Sequence, residues 1–240
     1  MVKTNKLYPA FQNIKAVHFD LDGSLVDSAQ AWFESEIELL REYGVELSVE
    51  QIRDITHDEL VGRGQWFAAR FYKEKFGLSA SVGEIRSRRI GMVKKYYGDM
   101  ELIEGAESFL KTIAQSSLKV TLATSSPLEL TDIFIRKHGF GELFDGVVSA
   151  DQVEESKPSP DIFLKAAETV GVRPEDCLIV EDSKNGLLAA MEAGSLCLLI
   201  PNEKFSTDKA GLLEKADFVV ESMEAIDLDK LREYLPQLKV

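Results

Sequence analysis

Short apolar runs recur along this chain, separated by stretches with helical spacing and helix punctuation. The runs predict strands over 14–20, 118–124, 146–149, 177–181, 196–200 and 217–220. Ser126-Pro127 and Ser159-Pro160 read as helix caps followed by a first-turn proline, with Gly139 and Gly171 as the stops. Asp182 or Ser183 opens a further helix that stops at Gly194. Strands alternating with helices predict an α/β fold, a Rossmann-like parallel sheet with right-handed crossovers.

One interval breaks the alternation. Between Asp27 and Tyr97 the pattern is helical and no strand is evident. Asp27 or Ser28 caps a helix carrying Trp32, Phe33, Ile37, Leu39 and Leu40, closed by Gly44. Ser48 with Gln51, and Ser81 with Glu84, have capping-box spacing, and 65–76 is a third helix rich in aromatics. The interval is too long for an ordinary connection. It predicts an inserted all-α domain, residues 27–97, in a core built from 1–26 and 98–240. Trp32, Trp66, Phe67, Phe71, Tyr72 and Phe76 are read as that domain's own core. Leaving the sheet after its first strand and returning near Asp99–Glu104, it can lie over the carboxyl ends of the strands as a lid.

Composition narrows the class. The chain has 240 residues, 45% hydrophobic, with a formal net charge of −13. That is globular, and the acidic field argues against nucleic acid or an anionic membrane as partner. The two cysteines, Cys177 and Cys197, sit in apolar runs and read as small core residues of adjacent strands rather than a disulfide framework. The first nine residues lack the apolar stretch of a signal peptide, and no window is apolar enough to span a bilayer. A cytoplasmic protein is expected, a monomer or weak homo-oligomer.

The chemistry concentrates at the strand ends, where open α/β sheets bind ligands. The run ending at Phe19 passes into Asp20-Leu21-Asp22-Gly23-Ser24, either a solvated Asp-Gly turn or a nucleophilic carboxylate beside a hard-cation site. The second long run ends in Thr124-Ser125-Ser126, either a helix cap or hydroxyls for a phosphate oxygen. Lys157 stands in a loop stiffened by Pro158 and Pro160, and the strand over 177–181 ends in Glu181-Asp182-Ser183. Together these clusters supply a cation site from carboxylates and an oxyanion site from a hydroxyl and an ammonium. That is equipment for phosphoryl transfer through an aspartyl-phosphate.

In order and spacing these motifs, Asp20-Leu-Asp22-Gly-Ser24, Thr124, Lys157-Pro-Ser-Pro-Asp161 and Glu181-Asp182-Ser183…Gly186, resemble the haloacid dehalogenase superfamily. Within it the resemblance is to phosphatases and phosphomutases with a helical cap after the first strand. It implies Asp20 as nucleophile and Asp22 as general acid/base. It implies Mg²⁺ held by Asp20, Asp182, the Asp22 backbone carbonyl and Glu181, and the transferring phosphoryl group held by Thr124, Ser125 and Lys157. Asp22 argues for phosphoryl chemistry, since release of a halide needs no acid there. The implied substrate is a small phosphorylated metabolite. The chain is similar both to sugar-phosphate phosphatases of the hexitol-phosphatase and 2-deoxyglucose-6-phosphatase type and to β-phosphoglucomutases. Trp32 stands where the mutases carry a histidine, which favours hydrolysis over isomerisation. A phospho-ligand-binding module without catalysis is the alternative of another class, and the intact acidic set speaks against it.

Within the helical interval, His57-Asp58-Glu59-Leu60-Val61-Gly62-Arg63-Gly64 reads as a loop between helices, with His57 and Arg63 as candidate specificity residues. His18, inside the first strand, reads as a satisfied core histidine, and His138 as a helix-end residue. Arg86, Arg88, Arg89, Lys94 and Lys95 read as a solvated basic face.

Overall fold

The β-rich runs pair as the sequence predicts. In the computed structural model, which describes residues 6–201 and 209–235 without the side chains of 57, 58, 209, 210 and 212, six strands form one sheet. They are β1 (Ala16–Phe19), β2 (Lys119–Thr124), β3 (Gly146–Ser149), β4 (Cys177–Glu181), β5 (Leu196–Leu199) and β6 (Phe218–Val219). Their order is β3-β2-β1-β4-β5-β6 and every pairing is parallel. The order reverses at β1, which lies between β2 and β4. In such sheets the crevice beyond the strand carboxyl ends at the reversal is where ligands collect.

The helices are α1 (Leu7–Ala10), α2 (Ala29–Glu42), α3 (Val49–Leu60), α4 (Gln65–Phe76), α5 (Val82–Tyr97), α6 (Ala106–Ala114), α7 (Leu128–His138), α8 (Asp161–Val170), α9 (Lys184–Glu192), α10 (Lys209–Lys215) and α11 (Leu228–Glu233). Strand residues alternate between two buried faces. Val17, Phe19, Leu178 and Val180 pack with Phe109 and Ile113 of α6 and Phe134 of α7. Ile179, Cys197 and Leu199 pack with Ile162 and Phe163 of α8 and Leu187 of α9. Both cysteines are buried and unpaired, on neighbouring strands. His18 is buried in β1 with Nδ1 against the Thr121 hydroxyl, and burial pulls its pKa down to about 4.

Helices α2 to α5 surround a cluster of their own, centred on Leu39, Leu40, Ile52, Tyr72 and Ile85. The capping boxes at Ser48 and Ser81 both form. Two expectations need correction. Phe71, Tyr72 and Phe76 join this cluster, but Trp32 packs against the sheet-side core, Trp66 is exposed, and Phe67 lines a cavity. The basic run is not a uniformly solvated face. Arg89 is buried, bonded to Gln65 at 2.5 Å and stacked 4.7 Å from the Trp32 ring. Arg86 reaches Asp151 at 2.7 Å, and Lys94 reaches Glu129 at 3.0 Å, so both tie α5 to the sheet unit.

Candidate active site

The carboxyl ends of β1, β3 and β4 bring their polar groups to one point. Asp20 follows β1 directly and still donates its N–H to Val180 on β4. Glu181 closes β4, and Lys157 arrives from the loop after β3. The Lys157 ammonium lies 2.7 Å from Asp20 Oδ1 and 2.6 Å from Glu181 Oε1, and all three side chains are buried. Burial pulls the Lys157 pKa down, but its two carboxylate partners outweigh burial and hold it above the ordinary lysine range. Burial, reinforced by Glu181 and Asp22 and opposed by Lys157, pushes Asp20 up to about 7. Burial and the neighbouring Glu181 and Asp20 push Asp182 well above its usual range.

Glu181 is fully engaged. Its Oε2 accepts from the N–H groups of Asp182 and Ser183 and from the Ser183 hydroxyl, while Oε1 takes Lys157. Ser183, rather than Asp182, caps α9 by accepting from the Gly186 N–H. Asp182 is thereby left to point inward, and its Oδ2 is buried without a hydrogen-bond partner. One oxygen each from Asp20, Glu181 and Asp182 lies within 4.8 Å of the others. An all-carboxylate, buried donor set with an orphaned oxygen fits a hard divalent cation. Asp20 and Asp182 are the members with coordination to spare.

The Asp22 side chain turns the other way. Its Oδ1 accepts from Trp32 Nε1 at 2.9 Å and from the Tyr97 hydroxyl at 2.5 Å, and Oδ2 accepts from the Ser126 hydroxyl at 2.5 Å. Tyr97 and Ser126 are themselves 3.0 Å apart, so Asp22, Ser126 and Tyr97 form a closed triangle. Two hydroxyl protons serve its three contacts when Asp22 is ionised, and a third is supplied when Asp22 carries a proton. Ser126 is therefore not the helix cap its Ser-Pro context suggests. The helix α7 begins after Pro127 with no side-chain cap. The sequence pattern shows Trp32 as a distinctive position but gives no sign of Tyr97 or of the Ser126 contact.

Thr124 ends β2 fully buried, and its hydroxyl accepts the Ser126 N–H at 3.0 Å, which leaves its proton for another acceptor. Ser125 turns toward the helical unit and donates to Gly62 O at 2.6 Å. Asn185 donates to Val61 O at 2.7 Å. The supposed loop over 57–64 is shorter than expected, because α3 continues to Leu60 and only 61–64 connect the helices. Those residues rest on the sheet unit. His57 lies on α3, but its side chain falls outside the described residues. Arg63 stacks 3.8 Å from the Phe67 ring centroid, and its Nε is buried without a partner. It lines a cavity of about 510 Å³ together with Trp66, Phe67, Arg70, Ser125 and Ser156. Asp20, Asp22, Thr124, Lys157 and Asp182 are not in that cavity's wall.

A family model described as haloacid dehalogenase-like hydrolase matches residues 17–200. The chain is 30% identical over 223 residues to YhcW of Bacillus subtilis (strain 168), covering 92% of this chain and 98% of that one. It is 28% identical over 198 residues to hexitol phosphatase B of Escherichia coli (strain K12), covering 82% of this chain and 88% of the relative. Among solved structures, CbbY from Rhodobacter sphaeroides in complex with phosphate superposes with a TM-score of 0.74 at 25% identity, over 91% of this chain and 99% of that one.

Proposed function

The chain belongs to the haloacid dehalogenase-like hydrolase family, and from that membership we propose that it hydrolyses a small phosphate monoester of the sugar or sugar-alcohol class with Mg²⁺ bound. The observation that carries this reading is the buried Lys157 bridging Asp20 and Glu181, with Asp182 beside them and Asp22 two residues on. A buried lysine shared by two carboxylates at a sheet reversal is costly for stability alone, and removing either partner leaves an uncompensated charge. The resemblance to hexitol phosphatase B supports the substrate class.

Asp20 is the nucleophile. Its carboxylate attacks phosphorus, the bond to the ester oxygen breaks, and Asp22 donates a proton to the departing alcohol. Asp22 then takes a proton from the water that hydrolyses the aspartyl-phosphate and releases inorganic phosphate. Lys157, Thr124 and the Ser125 backbone offset the charge of the transferring group. Asp20, Asp182 and the Asp22 carbonyl would hold the Mg²⁺, while Glu181 fixes Lys157 and the 182–183 turn through its own hydrogen bonds. The ion supplies charge neutralisation that lets a carboxylate approach a phosphate dianion. Arg63 and the cavity beside Ser125 take the alcohol portion, with α2–α5 acting as the cap.

The test is phosphate release from a panel containing glucose 6-phosphate, sorbitol 6-phosphate, a nucleotide and phosphoglycolate, with and without Mg²⁺. Asp20→Asn should abolish turnover. Isomer interconversion without free phosphate would replace hydrolysis by mutase chemistry. Absence of any Mg²⁺-dependent turnover would end the enzymatic reading.

A further inference from the structure

We infer that the helical unit carries a proton-operated switch away from the reacting groups: Glu36 on α2 and Gln65 on α4 compete for one buried cation, Arg89 on α5, and the proton on Glu36 decides which of them holds it. All three side chains are buried, Glu36 at 5% and Arg89 at 6% exposure. A guanidinium keeps its charge at any working pH. Yet the groups that hold Arg89 are neutral, namely Gln65 Oε1 at 2.5 Å and the rings of Trp32 at 4.7 Å and Tyr72 at 5.4 Å. Arg89 Nε is buried with no hydrogen-bond partner, and so are Glu36 Oε1 and the Tyr72 hydroxyl. A donor left over on α5 and an acceptor left over on α2, in helices that pack directly on each other, leave the network a second bonding pattern.

Three groups face the Glu36 carboxyl: Arg89 from α5, the Tyr72 hydroxyl from α4 and the Thr56 hydroxyl from α3. Thr56 spends its proton on Ile52 O at 2.9 Å. Burial holds Tyr72 far above the ordinary phenol range, so it does not titrate with Glu36. Burial also outweighs Arg89 and the two hydroxyls at Glu36 and pushes that carboxyl up to about 7. With its proton on, Glu36 exerts no net charge on the guanidinium, and Gln65 keeps it. With the proton gone, a carboxylate stands in the same dry space, and the unpartnered Arg89 Nε–H is the donor free to meet it. A guanidinium–carboxylate pair is stronger than a guanidinium–amide bond, so Arg89 leaves Gln65. Gln65 is the first residue of α4 and lines the cavity with Arg63 and Trp66, so the exchange reaches the cavity wall.

The test is an NMR titration of the full chain, labelled with ¹³C and ¹⁵N and in excess Mg²⁺, following Glu36 Cδ and the Arg89 Nε–H signal. Glu36 should titrate near pH 7, and the Arg89 signal should shift with the same midpoint. In Glu36→Gln, whose neutral amide cannot claim the cation, the Arg89 shift should vanish. Stability gives a second readout with a definite sign. The ordinary glutamate value is 4.5, so between that and about 7 only the folded chain holds the Glu36 proton. The Glu36 contribution to stability therefore falls as pH rises through this window and is level above it. Glu36→Gln escapes that loss. Its urea midpoint minus that of the wild type should grow from pH 5 to pH 7 and then stay constant to pH 8. A difference that shrinks or turns negative with rising pH would mean that Glu36 is ionised and paired with Arg89 throughout, which overturns the switch. An Arg89 signal indifferent to pH while Glu36 titrates would mean that Gln65 keeps the cation, which overturns it too. Should Glu36→Gln fold poorly, the two wild-type titration curves decide alone.

Discussion

Gly186 is a glycine because Glu181 occupies the place of its side chain. A Cβ at 186 would lie 1.9 Å from the Glu181 carboxyl carbon and from Oε1. The backbone of Gly186 needs no positive φ, so the constraint is space alone. Gly186→Ala must push the Glu181 carboxylate off the Ser183 and Asp182 N–H groups and off Lys157. Overpacking together with disruption of a buried ion pair should cost about 2–4 kcal/mol. Denaturant unfolding measures this. Glu181→Ala in the Gly186→Ala background should cost less than Glu181→Ala alone, because the clash and the carboxylate vanish together. Additive losses would refute the packing argument.

Lys157→Met tests the electrostatics. It keeps the length of the stem and leaves Asp20, Glu181 and Asp182 buried without their cation. Removing one partner of a buried pair costs about 3–5 kcal/mol, and the cost should depend on pH. Asp20 already titrates near 7 with Lys157 present, because burial favours its neutral form, and Asp182 is also raised. Without the ammonium both rise further. Below their native values they are protonated in the folded state, so the uncompensated charge disappears. In metal-free protein the destabilisation should therefore be large at pH 8 and markedly smaller at pH 5. A penalty independent of pH would mean that Lys157 contributes packing rather than charge.

Mg²⁺ binding should release protons. Asp20 and Asp182 are both held toward the neutral acid in the free protein, and a hard cation binds the ionised form. Affinity should rise with pH through about 7 as Asp20 ionises, and continue to rise while Asp182, also raised, gives up its proton. Calorimetric titration in two buffers of different ionisation enthalpy at pH 6.5 reads the proton count directly. Equal heats in both buffers would show that the carboxylates are already ionised before the metal arrives.

Most of the sheet was legible because a strand and its terminal residues are local in sequence. The runs over 146–149 and 177–181 are strands with those bounds, and the acids, hydroxyl and lysine after the runs come to the same edge. What remained hidden depends on residues far apart in the chain. Tyr97 is 75 positions from Asp22 and Ser126 is 104 positions away, and neither spacing leaves a local trace. Ser126-Pro127 has the same composition whether the serine caps a helix or faces a carboxylate. Arg89 was within reach: with Ile85 and Val93 it stands at four-residue spacing on the buried stripe of α5, and only the surrounding arginines and lysines disguised it.

Gly62 offers the sharpest test of how the helical unit seats. Its φ is +77°, and a Cβ there would meet Ser183 Oγ at 2.6 Å, so alanine is opposed by both backbone and space. Ser183 cannot yield freely, because its hydroxyl caps α9 and donates to Glu181. Gly62→Ala should instead lift residues 61–64, breaking the bonds from Ser125 to Gly62 O and from Asn185 to Val61 O. Global stability should fall by only about 1–2 kcal/mol, the cost of the left-handed conformation, while kcat/KM falls more steeply because the cavity wall at Arg63 moves. Trypsin gives an independent readout, since it cuts after Arg63 when that connection is exposed. Faster cleavage in Gly62→Ala, partly reversed by adding Ser183→Ala to make room for the methyl group, is the expected pattern. Cleavage and kcat/KM at wild-type levels would show that the contact between Gly62 and Ser183 does not hold the helical unit in place.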